Sequence, residues 1–123
     1  MLPARYRMRS SAEFSATTRR GRRTRAGDLV LYLGRPAERS AAETNAPDTT
    51  KVGLIVGRTV GGSVVRHQVS RRLRAQLAGL LDQLPAGSKL VVRALPGAAT
   101  AKSSTLGRDL ELAMRRLTTG ARP

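Results

Sequence analysis

The polar side chains between residues 51 and 81 are the part of this chain whose types and spacing best indicate chemistry. This window contains no acidic residue, and it carries the only histidine of the sequence. At about 100° per residue, most of these side chains lie opposite an apolar stripe, near the start of a predicted helix. Guanidinium groups and the free N–H groups of a helix start both bind phosphate, so we predict a polyanion-binding surface. The candidate residues are Arg58, Gly61, Arg66, His67, Gln68, Ser70, Arg71 and Arg74.

A second basic cluster fills the N-terminal third of the chain, where all the aromatic residues also lie. The rings of Tyr6, Phe14 and Tyr32 are interleaved with arginines, among them Arg7 and Arg25. Aromatic rings stack on unpaired bases while guanidinium groups hold phosphates, an arrangement typical of single-stranded RNA binding. Phe14 and Tyr32 are equally consistent with ordinary core positions.

The sequence shows no set of residues that would form a complete active site. It has a single histidine, and Asp109 and Glu111 are two residues apart, so they do not share a helix face. We find no Walker-type phosphate loop and no Ser–His–Asp set, and the absence of cysteine excludes cysteine-ligated metals. The residues therefore predict binding, with no catalytic residue and no metal site on this chain.

The net charge indicates the kind of partner. The 123 residues suggest one domain over 1–123, and 23 basic side chains against 8 acidic ones give a formal charge of +15. This excess favours a polyanionic partner, so a merely solvated basic face is the weaker interpretation. No apolar run approaches the roughly 18–20 residues that span a bilayer, which disfavours a membrane. No helix-turn-helix is apparent, which disfavours DNA, and the missing cysteines fit a cytoplasmic protein.

Hydrophobic spacing and turn residues divide the chain into helices and strands. We predict helices over residues 10–20, 63–84 and 103–119 and strands over 28–33, 51–57 and 89–95. Residues 22–25 form either a paired edge strand or an extended basic arm. The near-continuous apolar character of 51–57 indicates a strand buried on both faces. Residues 36–50 are predicted to be a mobile loop, and 118–123 a disordered tail.

These elements together predict the fold class. Their order is α-β-β-β-α-β-α when residues 22–25 count as a strand. We expect an α+β fold, an α/β sandwich in which three helices pack on a small mixed sheet of about four strands. The apolar stripes of the two longer helices, at three- and four-residue spacing, provide the surfaces that pack on the sheet.

Three blocks of the sequence resemble the protein subunit of bacterial ribonuclease P, over residues 5–117. They are RYRMRSSAEFSATTRRG, then DLVLYL followed by KVGLIVGRTVGGSVVRHQVSRRLR, and finally KLVVRALP with the closing helix. The middle block is the most specific, because it follows the family pattern VGxxVxKxxGxAVxRNRxKRxxR. The matching residues are Val52, Gly53, Val56, Gly61, Val64, Arg66, Arg71 and Arg74. The sequence departs from the pattern where His67, Gln68 and Ser70 replace the usual Asn, Arg and Lys.

The resemblance implies two RNA-binding surfaces and an unusual topology. The family fold has a left-handed β–α–β crossover, against the general rule. Its basic helix contacts a catalytic RNA, which implies that the candidate residues of the 58–74 segment bind ribonuclease P RNA. Its cleft between the first helix and the sheet holds the 5′ leader of precursor tRNA. The residues that match this cleft are Arg7, Phe14, Thr18, Arg25 and Tyr32, with Thr18 at a position that is usually aromatic.

The resemblance also implies how the work is divided between protein and RNA. The chain would be the accessory subunit of an endoribonuclease, with the active site and its Mg²⁺ ions held mainly by the RNA subunit. The expected partners are ribonuclease P RNA, at one copy per protein, and precursor tRNA. The alternative is a structural RNA-binding protein, such as a ribosomal protein, which would share the charge but not the pattern over residues 52–74.

Overall fold

The computed structural model describes residues 6–8, 11–34, 50–84 and 87–119. Its helices are α1 (Ser11–Arg20), α2 (Ser63–Ala78) and α3 (Ser103–Thr119), and its strands are β1 (Arg22–Ala26), β2 (Leu29–Gly34), β3 (Lys51–Ile55) and β4 (Lys89–Ala94). Short 3₁₀ turns follow α2 and β4. This order confirms the predicted α+β arrangement. Residues 36–49 of the predicted loop lie outside the described residues, as do residues 120–123 of the predicted tail, whereas α3 runs through Thr119.

The described strands form one mixed sheet in the order β1-β2-β4-β3. The β1–β2 and β2–β4 pairs are antiparallel, and the β3–β4 pair is parallel. The segment that follows α1 is therefore a paired edge strand and not a free arm. Helix α2 connects the two parallel strands, so the expected β–α–β crossover is present, and its left-handed sense stays a prediction.

One prediction about strand burial was wrong. Strand β3 lies at the edge of the sheet, with Leu54 and Ile55 only half-buried. The strands buried on both faces are the interior ones, β2 and β4, and in β4 Leu90, Val91 and Val92 have no exposed surface. An apolar run indicates a strand but does not specify its place in the sheet, which depends on pairing with residues far away in the chain.

One face of the sheet packs against the long helices and makes the core. Paired residues of neighbouring strands share a face, as Leu31, Val92 and Leu54 do here. Helix α3 packs on β1, β2 and α2, and the predicted apolar stripes of both helices are buried on this side. The large helical side chains that are fully buried are Val69, Leu73, Leu77, Leu106, Leu110 and Met114.

Helix α2 is shorter than predicted, because it ends at Ala78 and not at residue 84. The N–H group of Gly79 bonds to the carbonyls of Gln76 and Leu77 and closes the last turn. The following 3₁₀ turn still points Leu84 into the core. The three- and four-residue apolar spacing continues past the end of α2, because the 3₁₀ turn buries side chains on the same side of the chain. This spacing alone therefore could not locate the C-terminal end of the helix.

The opposite face of the sheet is covered in part by α1. The ammonium group of Lys89 on β4 donates to the Glu13 carboxylate at 3.1 Å, which ties the start of α1 to the sheet. Thr17 is buried over Gly34, where an added Cβ atom would lie 3.6 Å from the Thr17 side chain, an ordinary contact distance. The Gly21 N–H group bonds to the Thr17 carbonyl at 2.8 Å and ends the helix. We call this side the open face.

Candidate nucleic-acid interface

The ring of Phe14 packs directly on the backbone of β3. A Cβ atom added to Gly53 would lie 2.5 Å from the ring's Cζ and 3.2 Å from the Met8 sulfur. Only a glycine at this position lets the ring come so close to the strand. Phe14 itself is half-buried, so part of its ring surface stays accessible to a ligand.

This ring forms one wall of a cleft of about 210 Å³ along the outer edge of β3. The lining residues include Gly53 on the open face and Val52 and Leu54, which point to the other side. Among the described residues, no acidic side chain lines this cleft. We call it the edge cleft, and its lining residues are Arg7, Met8, Phe14, Val52, Gly53, Leu54 and Arg74.

Two arginines from different parts of the chain meet in the edge cleft. Residue Arg7 forms a parallel bridge with Val52, and the neighbouring Met8 N–H group bonds to the Val52 carbonyl at 2.7 Å. Arg74 reaches the same cleft from α2. Burial lowers the pKa of Arg74, and the nearby positive charge of Arg7 lowers it further. The sequence assigned these two residues to separate surfaces, and the structure brings them together.

The rest of the open face carries an aromatic row beside an arginine row. Tyr32 pairs with Val91, which pairs with Gly53, so Tyr32 lies on the same face as the Phe14 ring. In the next row, Arg25 pairs with Val30, Val30 with Arg93 and Arg93 with Ile55. The Arg25 and Arg93 side chains are exposed. This pattern suits a single strand whose bases stack while its phosphates meet arginines.

Arg93 is a candidate that the sequence analysis missed. It is the next-to-last residue of β4, an interior strand of the sheet, yet its side chain is exposed on the open face. A single arginine inside the apolar run KLVVRAL was the available signal. A charged residue in a central strand indicates that one face of the sheet is open at that point.

Thr18 lies on α1 one turn after Phe14, as predicted, but its hydroxyl group is already engaged. It donates to the Phe14 carbonyl at 3.0 Å and also lies 3.2 Å from the Ser15 carbonyl. Such a bond to the preceding turn is common for threonine in helices. Thr18 therefore offers a ligand its methyl group and no ring.

The start of α2 exposes backbone donors and a nearby cation. Its first residue follows Gly62, and no side chain caps the N-terminal N–H groups. Gly61 has a φ of +158°, and a Cβ atom there would lie 2.8 Å from Cγ1 of Val65. The glycine is therefore required for the turn, and the exposed Arg58 lies just before it.

The outer side of α2 forms an exposed polar ridge, which we define as His67, Gln68 and Arg71. These residues line a shallow surface groove together with Ser63 and Val64. Of the remaining candidates, Ser70 and Arg66 are half-buried, and the Arg66 Nε atom is buried without an acceptor among the described residues. The structure thus separates the predicted α2 set into this ridge, a half-buried flank and Arg74 in the edge cleft.

Several arginines have structural partners and are poor candidates for RNA contacts. Arg22 donates to the Leu117 carbonyl in the last turn of α3. Arg116 donates to the Arg25 carbonyl at 2.8 Å, and Arg72 donates to the Ala101 carbonyl at 3.3 Å. A cation near the C-terminal carbonyls of a helix is favoured by the helix dipole. The sequence alone could not identify which arginines make these backbone contacts.

Two further classes of site were sought in the described ranges. No three histidine, cysteine, aspartate or glutamate side chains come together in a way that could hold a metal ion. None of the helices there combines the length and apolar character needed to cross a bilayer.

The fold and this interface define a basic α+β domain with an aromatic- and arginine-lined sheet face. Residues 2–118 match the family model described as Ribonuclease P, so the chain belongs to the ribonuclease P protein family. It is 49% identical over 116 residues to the "Ribonuclease P protein component" of Mycobacterium sp. (strain KMS), covering 94% of this chain and 92% of that relative. The component from Mycobacterium avium (strain 104) is 45% identical over all of both chains.

Solved structures of the family share the fold. The RNase P protein from Staphylococcus aureus superposes with a TM-score of 0.75 at 18% identity, covering 92% of this chain and 95% of that one. The RNase P protein from Thermotoga maritima gives a TM-score of 0.70 at 19% identity, covering 89% and 96%. At these identities the likeness supports the fold, while the family assignment depends on the closer relatives.

Proposed function

We propose that this chain is the protein subunit of a ribonuclease P holoenzyme, in which it binds the RNA subunit and the 5′ leader of precursor tRNA. The observation that carries the proposal is the edge cleft, where the Phe14 ring lies on Gly53 between Arg7 and Arg74. The family match and the net charge of +15 support it. An aromatic ring flanked by cations at a sheet surface suits a single-stranded nucleic acid.

The ridge on α2 is assigned to the RNA subunit. Its residues are exposed, and together with Arg58 and the start of α2 they offer phosphate donors along one side of the helix. Folded RNA presents its phosphates on the outside, where such a row of donors can reach them. His67 and Gln68 donate single hydrogen bonds there, whereas Arg71 supplies a charged fork.

The open face is assigned to the leader. Phe14 and Tyr32 provide two stacking positions, and Arg25 and Arg93 lie one row away along the strands. Rows on one face of a strand are about 7 Å apart, so a chain crossing the strands can place bases on the rings and phosphates on the arginines. Thr18 lies at the side of this surface and contributes only apolar contact.

Cleavage is assigned to the RNA subunit, which would hold the Mg²⁺ ions. The described residues of this chain include no cluster of side chains that fits a metal ion. The chain's own contribution is to neutralise phosphates, hold the leader and so favour precursor over mature tRNA. We further propose that one protein binds each RNA subunit and that the complex is cytoplasmic. In this proposal the chain binds neither DNA nor membranes.

A reconstitution experiment tests this function. Purified protein is added to a bacterial ribonuclease P RNA with precursor tRNA at low Mg²⁺, and release of the leader is measured. We expect the protein to restore cleavage and to increase affinity for leader-bearing tRNA over mature tRNA. A structural RNA-binding protein, such as a ribosomal protein, would do neither, and that result would contradict the proposal.

A further inference from the structure

Helix α1 is held on the sheet by few contacts. Thr17 is its only buried residue, and none of its ten residues belongs to the main hydrophobic core. Helices in proteins are usually kept in place by packing of an apolar face, which α1 has only in part. Its position over the open face therefore depends on a small number of specific contacts.

Three side chains of α1 contact three neighbouring strands. Phe14 lies on β3, Glu13 bonds to Lys89 on β4, and Thr17 lies over β2. These strands are adjacent in the sheet, in the order β2-β4-β3, and lie about 4.8 Å apart. The ion pair is therefore the middle contact of the three, and Glu13 directly precedes the ring that forms one wall of the edge cleft.

The Glu13–Lys89 pair is short and partly sheltered from solvent. The nitrogen and oxygen lie 3.1 Å apart, and the Lys89 and Glu13 side chains are only 31% and 33% exposed. A second ion pair, between Glu111 and Arg115 on α3, spans 3.8 Å with side chains 47% and 62% exposed. Only the first pair joins residues far apart in sequence, so it contributes to tertiary position, and the second provides a matched control.

The carboxylate of Glu13 lies at an unexpected place for a protein of this charge. It is one of 8 acidic side chains against 23 basic ones, yet it is next to the ring assigned to the leader. A carboxylate there repels the phosphates of a bound RNA strand unless its charge is compensated. Lys89 supplies that compensation, and its partner in the register, Lys51, adds a second cation in the same row.

We propose that Glu13 and Lys89 are positioning residues, whose ion pair holds α1 so that the Phe14 ring stays on Gly53 and meets a base of the leader. The link to the leader rests on the proposed function, whereas the effect on the ring does not require RNA. A ring that is already in place in the free protein does not have to be ordered on binding. Loss of the pair lowers the fraction of molecules with the ring in place, and the apparent affinity falls with that fraction.

The first test observes the ring in the free protein. Phe14 is the only phenylalanine of the chain, so labelling with 4-fluorophenylalanine gives a single fluorine resonance. The ring lies on the strand backbone, so this resonance should differ from that of the unfolded protein. We expect Lys89→Gln to move it towards the unfolded position and Arg115→Gln, the control, to leave it unchanged. An identical resonance in the wild type and Lys89→Gln would overturn the proposal.

Salt provides the same test without a substitution. Raising the ionic strength from about 0.1 M to about 1 M shortens the screening length from roughly 10 Å to 3 Å, which weakens a partly exposed ion pair. The fluorine resonance of the wild type should then move towards the unfolded position. In Lys89→Gln the pair is already absent, so the same change in salt should move the resonance less. Equal movements in both proteins would contradict the proposal.

The second test measures how the assembled holoenzyme distinguishes precursor from mature tRNA. Glu13→Gln removes a negative charge beside the leader, so charge alone predicts tighter binding of precursor tRNA. The proposal predicts the opposite sign, a loss of about two- to fivefold in the ratio of the two affinities, as expected for a partly exposed ion pair. Glu111→Gln is the control and should leave the ratio unchanged. Tighter binding of precursor tRNA by Glu13→Gln would overturn the proposal.

Lys89→Gln and the double variant isolate the pair itself. Glu13 also lies in the first turn of α1, where a carboxylate stabilises the helix, whereas Lys89→Gln leaves that turn intact. It should show the same two- to fivefold loss for precursor tRNA, with affinity for the RNA subunit unchanged.

Adding Lys89→Gln to Glu13→Gln should then cost little more, because one interaction is lost only once. Additive losses would mean that Lys89 contacts RNA directly and would overturn the positioning role. If the fluorine resonance responds as expected but the wild-type holoenzyme does not prefer precursor tRNA, the proposed function fails while the role of the pair in placing the ring stands.

Discussion

The edge cleft and the ridge on α2 are both basic, with no acidic residue among their described lining residues, but they differ in how their charges are held. On the ridge, Arg71 and its neighbours are exposed to water, where a charge is well solvated and its side chain is free to move. In the edge cleft, Arg7 and Arg74 are partly desolvated, repel each other and lie beside a ring. The difference indicates diffuse, salt-sensitive attraction at the ridge and a preformed site in the cleft.

Replacing Gly53 should have the largest effect of the predicted changes. It should lower the stability of the fold, because the added side chain would overlap the ring that forms one wall of the edge cleft. Alanine normally suits a strand better than glycine by roughly 0.5–1 kcal/mol. Here the added Cβ would overlap the Phe14 ring, so we expect Gly53→Ala to destabilise the fold by about 1–3 kcal/mol, as for overpacking in general. Urea unfolding measures the free energy of unfolding.

The matched control for this prediction removes the ring. In a Phe14→Ala background the overlap with the ring is gone and only the 3.2 Å contact with the Met8 sulfur remains, so Gly53→Ala should cost much less. A cost for Gly53→Ala that is the same in both backgrounds would mean that the ring does not lie on β3 as described.

Phe14→Leu should have the next largest effect, and it should fall on the leader and not on the RNA subunit. Leucine keeps apolar contact with Gly53 but cannot stack on a base. Loss of one stacking position is worth about 1–3 kcal/mol, or roughly 5- to 150-fold in affinity for leader-bearing tRNA. Binding to mature tRNA and to the RNA subunit should change less than twofold. A comparable loss for mature tRNA would contradict the assignment of the ring to the leader.

The elements of this fold could be predicted from the sequence, and their mutual placement could not. Apolar spacing identified α2 and its buried stripe of Val69, Leu73 and Leu77. It did not show that β4, and not β3, is central, because strand order depends on long-range pairing. For the same reason Arg7 and Arg74, far apart in sequence, could not be assigned to one cleft.

The same limit applies to the candidate site: its residue types could be identified from the sequence, but their relative positions could not. Phe14 and Tyr32 were identified by residue type, and the register now places them on one face with Gly53. The exposure of Arg93 follows from an open sheet face, for which the only local signal was the single arginine inside an apolar run. Conversely, Arg22 and Arg116 resembled other basic residues until their carbonyl partners on distant elements were visible.

Arg71→Ala tests the ridge through salt dependence. If Arg71 neutralises one phosphate of the RNA subunit, its loss should reduce the slope of log affinity against log salt by about 0.7–0.9. The affinity at physiological salt should fall only several-fold, since the remaining ridge donors stay in place. Arg108→Ala on α3 is the control and should leave the slope unchanged. Equal slope changes in both variants would indicate that RNA responds to the overall positive charge of the protein. The ridge would then be no different from the rest of the basic surface.

The smallest effect on RNA is expected for Arg22→Gln, although Arg22 lies next to exposed arginines on β1. Its guanidinium donates to the Leu117 carbonyl, where it complements the C-terminal end of α3. Glutamine should therefore lower the free energy of unfolding by about 1 kcal/mol, the usual net value of one hydrogen bond. Affinities for the RNA subunit and for leader-bearing tRNA, measured below the melting transition, should stay within twofold of the wild type. A stable variant with weakened RNA binding would show that β1 belongs to the interface, and the basic surface would then extend beyond the cleft and the ridge.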